Sequence, residues 1–365
     1  MAARALVLLL ALLCSAALLS ASPSVQGGDW RATAPTIAET WSPAVPFDLG
    51  AFPSLPLRAD GSFRALVLTD LHLGLFPWID AEALRFIDRL AAACDPDLIL
   101  CAGDNSHGPF SPSGARKLVA ALEATGRPWL VVLGNHDAEG PKPRSWFGAL
   151  YAAGRGSLFS PGPRGLQGVG NGFVWLREAS GKPVFAFVAL DSNEYRSYPG
   201  RGRGYDLIHP DQIAWYEWIV RGLSSAAFGT YDRAAGQVLP TLLLFHIPLP
   251  QVTEALADLR RGEIDPALVY GLAREAPCPP LEDSGLFDAV LRLGSTKEIL
   301  VGHDHRNDLS LPWKGVRLSY IVKTGPADYH DEDLLGGTLV TVSPSPGPGQ
   351  GWVARSEAVI LPRRP

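Results

Sequence analysis

Apolar positions along this chain follow two alternating rhythms. Short, nearly unbroken apolar runs, the signature of buried strands, fall at residues 64–69, 97–101 and 128–133. Between them, apolar residues recur at helical spacing. Ala83, Leu84, Ile87, Leu90 and Ala91 mark one face of a helix over 80–94, with Asp80 as its expected N-cap. A second helix is expected over 113–125. This strand–helix alternation predicts an α/β domain whose first strands are largely parallel and buried.

The pattern continues with strands expected at 172–176, 184–190, 239–245, 298–301, 316–322 and 337–342. Helices are expected at 211–223 and 283–293. In the first of these, Ile213, Trp215, Tyr216, Trp218 and Ile219 form an aromatic-rich stripe best explained by core packing. Residues 195–205 read as an irregular loop. Its Arg196, Arg201 and Arg203 are read either as meeting a substrate anion or as a solvated surface. Residues 343–351 are rich in Pro and Gly and read as a turn or loop. No internal repeat or break in composition is visible, so one large domain over 61–362 is expected.

The ends of the chain change this picture little. Residues 5–19 are apolar apart from Ser15 and follow a minimal basic start, with small residues around Ala21 and Ser22. That is the form of a secretory signal peptide over 1–22, so a secreted or endomembrane location is expected. A cytoplasmic one follows if the segment is not used. The run is short for a membrane span and no later stretch is long enough, so no transmembrane helix is expected in the mature chain. Residues 23–60, rich in Pro, Ser and Ala, read as a leader that wraps the domain or stays mobile. The 365 residues carry a net charge of −5 without a basic stripe, which argues against nucleic acid as a partner. Beyond the signal, Cys94, Cys101 and Cys278 permit at most one disulfide and exclude a disulfide framework.

The chemistry lies where apolar runs end. Thr69-Asp70-Leu71-His72 follows the first expected strand, Gly103-Asp104-Asn105 the second, and Gly134-Asn135-His136-Asp137 the third. Phe245-His246 ends a later strand, and Gly302-His303-Asp304-His305 follows the run 298–301. In open α/β sheets, the carboxyl ends of strands converge on a ligand crevice. Carboxylates, imidazoles and an amide meeting there would be costly to bury unless a cation sat between them. Mixed oxygen and nitrogen donors suit Zn, Fe or Mn better than Mg or Ca.

These five blocks, in this order, resemble the calcineurin-like metallophosphoesterases, whose pattern is D-x-H, GD, GNH[DE], H and GHxH. Within that family, Thr-Asp-Leu-His-Leu-Gly, Leu-Gly-Asn-His-Asp, Phe-His-Ile-Pro-Leu-Pro and Gly-His-Asp-His-Arg-Asn-Asp are similar to a plant and fungal subgroup usually called purple-acid-phosphatase-like. The resemblance covers residues 62–342. It implies a two-sheet β-sandwich flanked by helices, in four αββα layers. It also implies two metal ions, the first held by Asp70, His72, Asp104 and His305. The second would be held by Asp104, Asn135, His246 and His303, with Asp104 bridging. His136 would face the phosphoryl group and the leaving oxygen.

One departure bears on colour. True purple acid phosphatases carry a metal-bound tyrosine three residues after the bridging Asp and lack the first-block His. Here His107 stands at that position and His72 is present. His72 therefore takes the place of the tyrosine ligand, and His107 either lines the site or is a plain loop histidine. Asp137 is read as orienting His136 or capping the next helix, and Asn307 and Asp308 as shaping the metal loop or turning the chain. Some subgroup members are labelled inactive, but no expected ligand is missing here.

The implied reaction is hydrolysis of phosphate monoesters, on a phosphorylated small molecule or a phosphoprotein. It proceeds by in-line attack of a hydroxide bound to the dinuclear centre, with His136 assisting the leaving group. Such reactions need up to ~10²¹-fold acceleration, far beyond the ~10²–10⁴ of one general acid, so most of the effect must be electrostatic. A phosphodiesterase or nucleotide pyrophosphatase with the same metals, and a catalytically silent metal-binding scaffold, remain the alternatives.

Overall fold

The computed structural model describes residues 41–346 and 351–362. The expected signal peptide and the leader up to residue 40 lie outside the described residues. In chain order the elements are β1 (Ser54–Pro56), β2 (Phe63–Leu68), α1 (Pro77–Cys94), β3 (Leu98–Ala102), α2 (Ser111–Ala124), β4 (Trp129–Val132) and α3 (Arg144–Ala152). Then come β5 (Gly172–Arg177), β6 (Pro183–Ala189), β7 (Tyr195–Tyr198), β8 (Gly202–Tyr205), α4 (Pro210–Phe228), β9 (Thr241–Leu244) and α5 (Gln251–Arg260). The rest are α6 (Leu286–Leu293), β10 (Thr296–Val301), β11 (Ser310–Trp313), β12 (Val316–Tyr320), β13 (Gly336–Pro344) and β14 (Trp352–Ile360).

Two sheets carry the fold. One has the order β1-β5-β6-β9-β10-β12-β11, the other β14-β13-β2-β3-β4. In the second, β2, β3 and β4 run parallel, as their continuous apolar character predicts. In the first, β6, β9, β10 and β12 also run parallel. The layers follow from the two-residue period of a strand. Ala65 and Val67 of β2 face Phe187, Leu242 and Leu244 of the other sheet in the central core. Their neighbours Leu66 and Leu68 turn outward to Ala83, Ile87 and Leu90 of α1. On the far side, Trp215, Tyr216 and Ile219 of α4 pack on Val188, Leu243 and Ile299. The result is the four-layer αββα sandwich. It brings the carboxyl ends of β2, β3, β4, β9 and β10 to one edge.

Two local expectations are corrected. Asp80 does not cap α1, which opens with a proline in its first turn, at Pro77. Its carboxylate instead accepts from Gly74 N at 2.9 Å and pairs with Lys117. Residues 195–205 are not irregular. They form the antiparallel β7–β8 hairpin, with Tyr195 opposite Tyr205, whose rings stack at 5.3 Å. The leader's last residues include β1, paired parallel to β5 as an edge strand.

Candidate metal centre

Glycines let the strand ends approach. A side chain at Gly103 would place its Cβ 2.5 Å from the His246 ring, and one at Gly134 would fall 2.2 Å from Asp104 Oδ1. One at Gly302 would fall 2.1 Å from Thr69 Oγ1. The glycine opening each of these three blocks is thus the condition for its neighbour's side chain to reach the edge. Asp70, His72, Asp104 and His303 also adopt positive φ, between 48° and 77°. Such strain in non-glycine residues gathers where surrounding contacts over-determine the backbone.

Hydrogen bonds hold one atom of each side chain and leave another facing inward. Asp70 Oδ2 accepts from His303 N at 3.1 Å and Thr69 Oγ1 at 2.9 Å, which leaves Oδ1 free. Asp104 Oδ1 accepts from His136 N at 2.8 Å, leaving Oδ2. His246 Nδ1 donates to Ala102 O at 2.9 Å and His305 Nδ1 to Tyr329 O at 2.9 Å, so each ring presents Nε2. Asn135 Nδ2 donates to Tyr195 Oη at 3.1 Å and leaves Oδ1. One such atom each from Asp70, His72, Asp104 and His305 lies within 4.8 Å of the others, as do those of Asp104, His246 and His303. The structure thus gathers Asp70, His72, Asp104, His246, His303 and His305 in two groups that share Asp104.

This donor set fits metal ions. Asp70 Oδ1, Asn135 Oδ1 and His246 Nε2 are buried without a hydrogen-bond partner, and such orphans need an explanation. His305 Nε2 lies 3.0 Å from His72 Nε2 and 3.3 Å from Asp70 Oδ1. His246 Nε2 lies 3.1 Å from Asp104 Oδ2. Lone pairs at such distances repel unless a proton or a metal ion separates them. Without metal, protons fill part of that need. Burial disfavours charge on His246, but Asp104 overrides it and raises the pKa to about 9. Burial, joined by Lys323, lowers His72 to about 3, and burial lowers His303 to about 3. Burial also works against ionised Asp70 and Asp104, yet the neighbouring histidines hold both below the usual carboxylate range.

His136 lies at the open side, its Nε2 4.0 Å from Asp104 Oδ2 and its Nδ1 2.7 Å from Glu139 Oε1. Burial again opposes its charge, but Asp104 and Glu139 outweigh it and the pKa is raised. Asp137 neither orients His136 nor caps a helix. Its buried carboxylate accepts from Gly134 N, Ser106 N and Oγ, and Asn105 Nδ2, bracing the second block against the third. His107 lines the site, with Nδ1 3.0 Å from His72 Nδ1 and its ring 4.2 Å from that of His136. Asn307 pairs with the Glu275 backbone, and Asp308 accepts from Leu272 N, tying residues 272–275 beside the last block.

Sequence reasoning missed three supports. Buried Lys323 donates to Asp70 O at 2.8 Å. Arg144 links Gly134 O to Glu194 and Asp191. Glu139 engages His136. All lie outside the five blocks, and only a carboxylate three residues after a histidine hinted at Glu139. Of the hairpin arginines, Arg196 and Arg201 pair with Asp206 and Glu282. Arg203 lies over the Tyr195 ring at 4.2 Å. Among the described residues, Cys94, Cys101 and Cys278 are free thiols.

A sandwich with two groups of inward-facing carboxylates and imidazoles at one edge is the architecture of a metal-dependent phosphoesterase. A family model described as calcineurin-like phosphoesterase matches residues 63–307, and the chain belongs to that family. It is 28% identical over 319 residues to an Arabidopsis thaliana protein named "Probable inactive purple acid phosphatase 14", over 80% of this chain and 76% of that one. It is also 28% identical over 296 residues to "Phosphatase DCR2" of Saccharomyces cerevisiae, over 73% of this chain and 48% of that one. Among solved structures, a dimetal phosphatase from Danio rerio is similar with a TM-score of 0.49 at 14% identity, over 81% of this chain and 98% of that one. Among the described residues, no helix is long and apolar enough to cross a membrane.

Proposed function

We propose that the chain is a dinuclear metallophosphatase that hydrolyses phosphate monoesters. The observation that carries this reading is the clustering of the Asp70, His72, Asp104, His246, His303 and His305 side chains, with Asp70 Oδ1 and His246 Nε2 buried and unpaired, beside a histidine whose pKa is raised at the open side. Asp70, His72, Asp104 and His305 would hold one ion, and Asp104, Asn135, His246 and His303 the other. Zn, Fe or Mn matches these donors. When bound, such a pair lowers the pKa of a water and clamps phosphoryl oxygens.

The protein's own groups do the rest. Asp70 and Asp104 stay ionised and supply the negative charge that retains the ions. His246 and His305 present Nε2 because backbone carbonyls take their Nδ1, and His72 presents Nε2 while its Nδ1 faces His107. His136 offers a proton from Nε2 to the leaving oxygen, while Glu139 balances its charge. The N-terminal apolar run supports a secreted or endomembrane location.

A panel assay tests the reading. Metal content is measured on the purified chain, then turnover of an aryl monoester, an alkyl monoester, a diester and a phosphopeptide. Two ions per chain with monoesters preferred is the expected result. Bound metals without any turnover would instead establish a silent scaffold, the reading favoured by the names of the Arabidopsis relatives. Preference for the diester would establish the phosphodiesterase.

A further inference from the structure

Glu139 stands between two histidines. Its Oε1 lies 2.7 Å from His136 Nδ1. Its Oε2 accepts from Gly108 N at 3.2 Å and lies 3.2 Å from His107 Nε2. His107 in turn meets His72 through their Nδ1 atoms at 3.0 Å. A chain of contacts therefore runs from His136 through Glu139 and His107 to His72, whose Nε2 faces Asp70, Asp104 and His305.

Proton placement along this chain follows from elementary rules. A carboxylate only accepts, so the facing nitrogen of each neutral imidazole must carry the hydrogen. At His136 that is Nδ1, which leaves Nε2 turned toward the cluster. At His107 it is Nε2, since a bare lone pair 3.2 Å from a carboxylate oxygen would be repelled. His107 Nδ1 then bears a lone pair and accepts from His72 Nδ1–H. His72 is left with a bare Nε2, the form that a metal ion requires. The opposite arrangement would have His107 donate from Nδ1 and His72 donate from Nε2 to His305. Without metal it relieves the 3.0 Å contact between the two Nε2 atoms, but it closes His72 to metal, and the Glu139 charge opposes it from the His107 end.

We infer that Glu139 is a positioning residue that sets two tautomers at once, those of His136 and His107, and through His107 favours the metal-ready form of His72. The inference rests on the proposed metal site, and it couples the proton donor to a metal ligand through one carboxylate that touches neither metal nor substrate. Partners that fix a ligating histidine's tautomer are worth ~10–100-fold in metal affinity. The same range is expected here, although Glu139 lies two imidazoles away from the ion.

The test uses the full chain labelled with ¹⁵N-histidine and loaded with Zn²⁺, at alkaline pH where His136 is neutral. Long-range ¹H–¹⁵N spectra report each tautomer, and calorimetry on the stripped chain with Zn²⁺ alone reports affinity. In the Zn²⁺-loaded unaltered protein, His136 should carry hydrogen on Nδ1 and His107 on Nε2. Glu139→Ala should release both tautomers and weaken Zn²⁺ binding by ~10–100-fold. His107→Phe should weaken Zn²⁺ binding while leaving His136 unchanged. Glu139→Gln, which keeps the volume but has a single carbonyl acceptor, should lose at least one of the two tautomers. A response confined to His136, or tautomers and affinity unchanged in both Glu139 variants, would overturn the inference. Neither readout needs turnover, so an inactive wild-type protein would defeat the proposed function and leave this inference standing.

Discussion

His136→Asn separates proton donation from every other role the site could give this residue. The substitution keeps the backbone N–H that donates to Asp104 Oδ1 at 2.8 Å, so the brace between the second and third blocks survives. It removes the ring whose Nε2 lies 4.0 Å from Asp104 Oδ2 and whose Nδ1 engages Glu139. Burial alone would keep that ring neutral, but Asp104 and Glu139 raise its pKa above the ordinary value of 6.5. The shift favours a proton on this ring, which lies at the open side of the site. General acid catalysis contributes ~10²–10⁴-fold, equivalent to ~2.7–5.4 kcal/mol of barrier. An alkyl alkoxide is strongly basic and needs that proton, whereas a nitrophenolate leaves almost unaided. Alkyl phosphate turnover should fall by ~10²–10⁴ and nitrophenyl phosphate turnover much less, with both metals retained. The assay compares kcat/KM on the two substrates with metal content measured on the same sample. Equal losses with metal lost would make His136 a loop support. Equal losses with metal intact would assign it to the phosphoryl oxygens and refute proton donation.

Three further outcomes follow from particular contacts. Gly103→Ala puts a Cβ 2.5 Å from the His246 ring at a backbone φ of +97°; it should cost ~1–3 kcal/mol of stability and lower metal occupancy, and unchanged Tm and occupancy would contradict the packing argument. The metal-loaded protein should lack the strong visible band of tyrosinate bound to ferric iron, because His107 fills the tyrosine's position and turns its Nδ1 to His72; a visible absorption spectrum checks this. Glu298 is buried, and burial raises its pKa above 4.5 despite hydrogen bonds from Ser319 and Ser356. A raised folded-state pKa means full stability below 4.5 that is lost as pH rises through the folded value. Glu298→Gln should therefore raise Tm at pH 8 relative to the wild type, with the difference shrinking toward pH 4.

What the sequence reveals most clearly is whatever repeats locally. The parallel strands β2, β3 and β4 announce themselves because both faces are buried, one under helices and one under the second sheet. The five blocks stand out because each follows such a strand. Edge elements do not stand out. β14 exposes much of its length and carries Arg355 and Glu357, so no apolar rhythm marks it. β1 is three residues long, and β7–β8 alternates arginine, glycine and tyrosine without an apolar face. Helices α3 and α5, of nine and ten residues, are too short for a clear period. Within the site, Lys323 and Arg144 escape notice for another reason: tertiary contacts alone bring them to the cluster, and no spacing encodes those contacts. Asp137 shows the converse. Its place beside His136 suggests a partner, whereas the backbone turns its carboxylate onto Gly134 and Ser106.

The central claim is that one carboxylate is shared by two metal ions, and Asp104→Asn tests it most directly. The variant keeps the volume and the Oδ1 that accepts from His136 N, but replaces the charged oxygen lying 3.1 Å from His246 Nε2 and 3.9 Å from His72 Nε2. Metal content and monoester turnover are measured together on the purified variant and the wild type. The account predicts that both fall together, with fewer than two ions retained per chain. Two ions bound as tightly as in the wild type, with turnover intact, would contradict it.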